Sequence, residues 1–346
     1  MRQLNFRRLV ATVAIGATLV GAATVAPGAA QAGQGGWHHD DLTVRVPVGV
    51  DGVAAASIHA ERYTPTRPAR GVQIFVPGAT YDHHYFDLGT SRGVVSQARQ
   101  AAREGWVAIA LDRVGTGGSS KPPAAAITTA VHVISLDRFV DKIDRSYPKL
   151  PIVLVGHSYG SVVAAGVAAE SGSVDALAIT GFMYRRTAPS FEGFPELVPA
   201  ATDPVLTGRK LPEGYLTTKP NTRQFFYHLP NTDPATLAAD ERTKATTTAA
   251  EVPGFAQELA TQSFASAVRV PVLVVVGEAD YLFRGSDPAD FAPVQRQTFA
   301  AAVTVDAVLI RNAGHDLALQ RNAPLTNALI NRWALAHTRS VVSPVR

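Results

Sequence analysis

The 346-residue chain is 46% hydrophobic and 17% charged, which suits one large globular domain or a domain carrying an insertion. With no cysteine, it cannot use a thiolate nucleophile or a Cys-ligated metal. The formal charge of +4 falls to about +1 once the three N-terminal arginines are set aside, and no basic stripe is present, so a nucleic-acid binder is not expected.

Residues 1–32 read as a signal peptide. Arg2, Arg7 and Arg8 form a positive region, Leu9–Ala26 is apolar, and Ala30-Gln31-Ala32 fits a small-residue cleavage site, so cleavage is expected after Ala32 and the mature chain is expected to be secreted. Arg7-Arg8 could belong to a twin-arginine signal, though its flanks match only loosely. An uncleaved membrane anchor is the alternative, but the apolar run is rich in Gly and Ala and barely of spanning length. Residues 33–41 read as a flexible, solvated lead-in. Within it, His38-His39-Asp40-Asp41 has metal-binding side chains, but nothing in the sequence fixes their geometry.

Leu42–Val48 and Val53–Tyr63 alternate like strands joined by an Asp51-Gly52 turn. Val72–Val76 is a buried-type strand that ends in Pro77-Gly78-Ala79-Thr80-Tyr81. His83 and His84 follow, either in a polar loop or lining an entrance, with the loop favoured. A helix is expected over Leu88–Glu104, then a strand over Trp106–Leu111 and a helix over Ile127–Tyr147. Asp112 and the Gly115-Thr116-Gly117-Gly118 turn read as scaffolding. Ser120 stands where a dinucleotide fingerprint needs its third glycine, and no P-loop is present.

Ile152–Val155 reads as a buried strand, Gly156-His157-Ser158-Tyr159-Gly160 fits G-x-S-x-G, and Ser161–Glu170 reads as a helix of small residues. A sharp strand-to-helix turn of this kind lifts a serine hydroxyl above a sheet. Val174–Thr180 is the next strand. Strand and helix alternate up to this point, which argues for a parallel sheet covered on both faces.

Residues 181–268 break the alternation with prolines, aromatics and charges, and short helices such as Pro234–Glu251 are expected within them. They read as an inserted lid. Its aromatics, among them Tyr184, Phe191, Phe194, Phe225, Phe226, Tyr227, Phe255 and Phe264, would form a lid core or contact an acyl chain. The core would then comprise residues 33–180 and 269–346. In the second part, Val270–Val276 and Val303–Ile310 are strands, Pro288–Ala301 and Leu317–His337 are helices, and the last residues fray.

A serine hydroxyl needs a base, and the base needs an orienting acid. Asp280 and His315 follow later strands in the order Ser, acid, His, so a Ser158–His315–Asp280 triad is expected. Glu278, Asp290 and Asp316 are rivals for the acid. The oxyanion donors should be the backbone N–H groups of Tyr159 and Ala79, with Thr80 second to Ala79.

From Val72 to His337 the chain resembles the α/β-hydrolase superfamily. The resemblance rests on Val76-Pro77-Gly78, Asp112–Gly117, Gly156–Gly160, Gly277-Glu278-Ala279-Asp280 and Gly314-His315. It implies a cofactor-free, metal-free hydrolase with a lid between the sixth and seventh strands. Many members carry His-Gly where this chain has Pro77-Gly78. The serine argues against the branches with an aspartate nucleophile. The expected function is a secreted esterase acting on a small, partly hydrophobic ester through an acyl-enzyme. Amidase, lactonase, thioesterase or acyltransferase chemistry would use the same triad, and a non-catalytic binding protein on this fold is the alternative from another class.

Overall fold

The computed structural model describes residues 31–32, 36–184, 191–283 and 288–338. Of the expected signal peptide only Gln31-Ala32 is among them, and the expected fraying of residues 339–346 lies outside them.

Eight strands form the main sheet: β1 (Trp37–Val50), β2 (Val53–Pro65), β3 (Gly71–Val76), β4 (Trp106–Leu111), β5 (Ile152–His157), β6 (Ala176–Thr180), β7 (Val272–Gly277) and β8 (Val305–Ile310). Their order is β1-β2-β4-β3-β5-β6-β7-β8, and Gln31–Ala32 adds a short strip to β1. Pairing is antiparallel from β1 through β4 and parallel from there to β8. All six residues of β3, β4, β5 and β7 are buried, as strands covered on both faces require.

Alternate side chains feed two separate cores. Val72, Ile74, Ile152 and Leu154 pack with α2 (Thr129–Ser146) and α3 (Tyr159–Glu170). Phe75, Val153 and Val155 face the other way, toward α1 (Gln97–Arg103) and α8 (Ala323–Thr338), the helix that follows α7 (Pro288–Thr298). Every α3 residue from Tyr159 to Ala168 is buried, because its small side chains let the helix press onto the sheet.

Several expected elements differ, and the helix expected from Leu317 begins only at Ala323. Leu88–Glu104 is not one helix. Asp87–Thr90 and Gly93–Ser96 pair as a hairpin, and α1 starts only at Gln97. The β-branched Val94-Val95 pair extends, Thr90 Oγ1 holds the turn by donating to Gly93 O at 2.8 Å, and Ser96 Oγ caps the helix by accepting from Arg99 N. The lead-in is also not free, since Trp37–Asp41 belong to β1 and pair with Glu61–Pro65. The Arg62 guanidinium grips both Asp40 oxygens at 3.0 and 2.6 Å, and Trp37 meets Tyr63 edge-on. Polar composition there marks an edge strand with one wet face.

The segment between β6 and β7 holds a three-stranded antiparallel sheet (Leu197–Pro199, Tyr215–Thr218, Thr247–Thr248) and helices α4 (Pro234–Thr243), α5 (Val252–Thr261) and α6 (Ser263–Ala267). The helix expected over Pro234–Glu251 stops at Thr243. The segment rests on loops at the carboxyl ends of the strands. Ala245 N donates to Thr80 O at 2.9 Å, Thr246 Oγ1 to Gly115 O at 2.6 Å, and Asp316 N to Phe226 O at 3.0 Å.

Candidate active site

Ser158 sits between β5 and α3 with φ 51° and ψ −123°, a left-handed conformation that costs a non-glycine residue about 1–3 kcal/mol. The flanking glycines allow the turn. A Cβ on Gly160 would lie 2.3 Å from Val76 O, and one on Gly156 would lie 2.5 Å from the Ser161 Cα. Ser158 N is tied to Thr180 O at 2.8 Å, and the side chain is half-buried.

His315 and Asp280 meet, with His315 Nδ1 and Asp280 Oδ2 2.9 Å apart and both residues buried. Burial opposes a charge on His315, but the facing carboxylate holds its pKa above the ordinary value. Of the rivals, Glu278 and Asp290 are exposed. Asp316 has an oxygen within 4.8 Å of a His315 ring nitrogen, but among the described residues no hydrogen bond joins the two, and Asp316 accepts from Tyr81 OH. Burial first, and then the charge of Asp240, push Asp316 up to about 8.

Among the described residues no hydrogen bond joins Ser158 to His315. Catalytic contacts of this kind are often long in a free enzyme and tighten with substrate. His157, next to Ser158 in the chain, is fully buried and stacks on Tyr85 at 4.0 Å, with its ring 4.8 Å from that of His315. Burial, then the charge of His315, keep its pKa well below the ordinary value, so it is neutral.

The loop after β3 lies against the serine. A Cβ on Gly78 would be 3.0 Å from Ser158 Cβ. Among the described residues neither the Ala79 nor the Tyr159 N–H has an acceptor, so both are free to donate to a ligand. Two buried arginines, which the sequence reading did not single out, hold this loop. Arg113 donates to Pro77 O and Gly78 O at 3.0 Å each, which fixes the direction of the carbonyls and therefore of the next amides. Arg223, from the insertion, donates to Thr80 Oγ1 at 2.9 Å and Thr80 O at 3.3 Å, and Thr80 has φ 61°. Arg113 lies in the Asp112–Gly117 run, but no local sequence pattern marks the role of either arginine, since their partners are distant in the chain.

Aromatic side chains of the insertion reach the site. Phe226 lies 5.7 Å from the His315 ring, and Phe225 lies 5.7 Å from Tyr281 beside Asp280. A groove of about 500 Å³ runs between Phe194, Phe225, Tyr227, Leu229 and Tyr281; its lining meets the site only through Tyr281, next to Asp280, and includes none of Ser158, His315 or Asp280. A larger cleft of about 810 Å³, between α1 and the start of α8, includes none of Ser158, His315 or Asp280.

A parallel sheet with a strained serine at a strand-to-helix turn, and a His–Asp pair after later strands, defines a hydrolase-type fold. Residues 73–328 match the alpha/beta hydrolase family, and the chain belongs to that family. No curated protein matches it. Among solved structures it is similar to a thermophilic esterase from Thermogutta terrifontis, at 18% identity and a TM-score of 0.58, covering 86% of this chain and 100% of that one. It is also similar to a thermostable carboxyl esterase from Bacillus coagulans, at 16% identity and a TM-score of 0.58, covering 88% and 99%. A monoacylglycerol lipase from Paleococcus ferrophilus aligns at 14% identity and a TM-score of 0.53, covering 81% and 99%. At these identities the likeness is one of fold.

Proposed function

We propose that this chain is a serine hydrolase that cleaves carboxylic esters. The observation that carries the reading is the strained Ser158 turn, set against a loop with free amides and accompanied by the His315–Asp280 pair. His315 takes the Ser158 proton through Nε2 as Oγ attacks the ester carbonyl. The tetrahedral oxyanion lies against the Ala79 and Tyr159 amides. His315 then protonates the leaving alcohol, and water, activated the same way, releases the acid. Asp280 keeps the proton on Nδ1 and stabilises the imidazolium.

The insertion acts as a lid, and its groove of aromatic side chains offers an apolar acyl group a place to lie. Residues 1–32 act as a signal peptide and the mature chain is secreted. Among the described residues no helix is long and apolar enough to cross a membrane. A panel of p-nitrophenyl esters from acetate to palmitate tests the reading. Saturable turnover with a chain-length optimum is expected, and no turnover of any ester by folded protein would overturn it.

A further inference from the structure

On the wet face of the β1–β2 hairpin, His39 and Asp41 stand opposite Tyr63 and Glu61, with His59 two residues before Glu61. The turn after β3 brings His83 to the same face. His39 Nε2 touches Glu61 Oε2, and His83 Nε2 lies 3.8 Å from Glu61 Oε1. The donor atoms of His39, Asp41 and Glu61 all lie within 4.8 Å of one another. Ligands around a tetrahedral zinc ion stand about 3.3 Å apart, so this spacing needs little adjustment.

Behind this group, Asp112 is fully buried and accepts from His83 Nδ1 and His59 Nδ1 at 2.8 Å each, and from the Gly118 and His83 amides. A carboxylate on Nδ1 fixes the tautomer that leaves Nε2 free as a ligand, the usual backing of a metal-bound histidine. Tyr63 stacks on the His39 ring at 4.7 Å and fixes its plane. His39, Glu61 and His83 are all partly open to solvent, so an ion has a way in. None of these residues belongs to the Ser158 site. The strand pairing supplies the geometry that the His38–Asp41 run lacks as bare sequence.

We propose that His39 Nε2 and the carboxylates of Asp41 and Glu61 form a binding site for one divalent transition-metal ion, with His83 Nε2, 3.8 Å from Glu61 Oε1, or water as the fourth ligand and Asp112 positioning His83. Imidazole in the donor set suits zinc over the hard cations calcium and magnesium. The site is structural: it pins the β1–β2 hairpin to the loop that leads from Ala79 to Tyr85.

The test is calorimetric titration of the tag-free, chelator-treated chain with zinc chloride, and separately with calcium chloride. Expected are one equivalent of zinc bound at micromolar or tighter Kd and no calcium binding. Glu61→Gln and His39→Gln should abolish zinc binding, His83→Asn and Asp112→Asn should weaken it about 10–100-fold, and His38→Gln should leave it unchanged. Asp41→Asn serves if His39→Gln does not fold. No zinc binding by the wild-type chain, or binding unaltered in the folded Glu61 and His39 variants, would overturn the proposal and leave the cluster as an ion-pair network. Ester turnover plays no part in the readout, so failure here is separate from failure of the hydrolase reading.

Discussion

His315→Ala is expected to lower kcat for ester cleavage by about 10⁶-fold, because a serine without its base reverts to a protonated hydroxyl. Asp280→Asn should cost about 10⁴-fold, since an amide facing Nδ1 favours the wrong tautomer and no longer stabilises the imidazolium. The pH profile separates this role from a structural one. The base must be neutral, and Asp280 raises the His315 pKa above the ordinary 6.5 despite burial. Activity should therefore fall as pH drops through an inflection above 6.5, and that limb should move to lower pH in the Asp280→Asn variant. An acid limb unmoved by the substitution, measured as kcat/KM against pH, would contradict the pairing.

The largest effect on stability is expected at Arg223. Its guanidinium is buried and grips Asp240 through Nε at 3.1 Å and Nη2 at 2.8 Å. It also lies over the Tyr81 ring at 3.9 Å, and Tyr227 OH donates to Asp240 at 2.9 Å. Arg223→Met leaves the Asp240 carboxylate buried without its cation, at a cost of about 3–5 kcal/mol. Asp240→Leu added to Arg223→Met should recover most of that loss, because a removed pair costs far less than a broken one. The double variant should still turn over more slowly than the wild type, since Thr80 has lost the donor that holds its left-handed backbone. Chemical denaturation of the two variants, alongside kcat at saturating ester, checks both parts. Additive stability losses would rule out the pairing argument.

The parts of the candidate site set by local chain geometry were legible in the sequence. Ser158 lies within one motif, and Asp280 and His315 lie directly after apolar runs, so each could be placed at a strand end without knowing its neighbours. Choosing among Asp280, Glu278 and Asp316 needed the structure, because two or three residues along a loop decide between exposure, the His315 ring and Tyr81. The holding roles of Arg113, inside the Asp112–Gly117 run, and of Arg223 could not be read from sequence. Their roles come from carbonyls far away in the chain, and a buried arginine carries no periodic signature. Trp37–Asp41 misled for a related reason: an edge strand with one wet face has the composition of a loop until its partner, Glu61–Pro65, is known.

Labelling of the purified chain with a fluorophosphonate probe, located by peptide mass spectrometry, tests the central claim most directly. The account predicts a single label on Ser158, absent from the Ser158→Ala variant. A folded wild-type chain that takes no label, or takes it elsewhere, would contradict an activated serine and leave the fold serving a binding function.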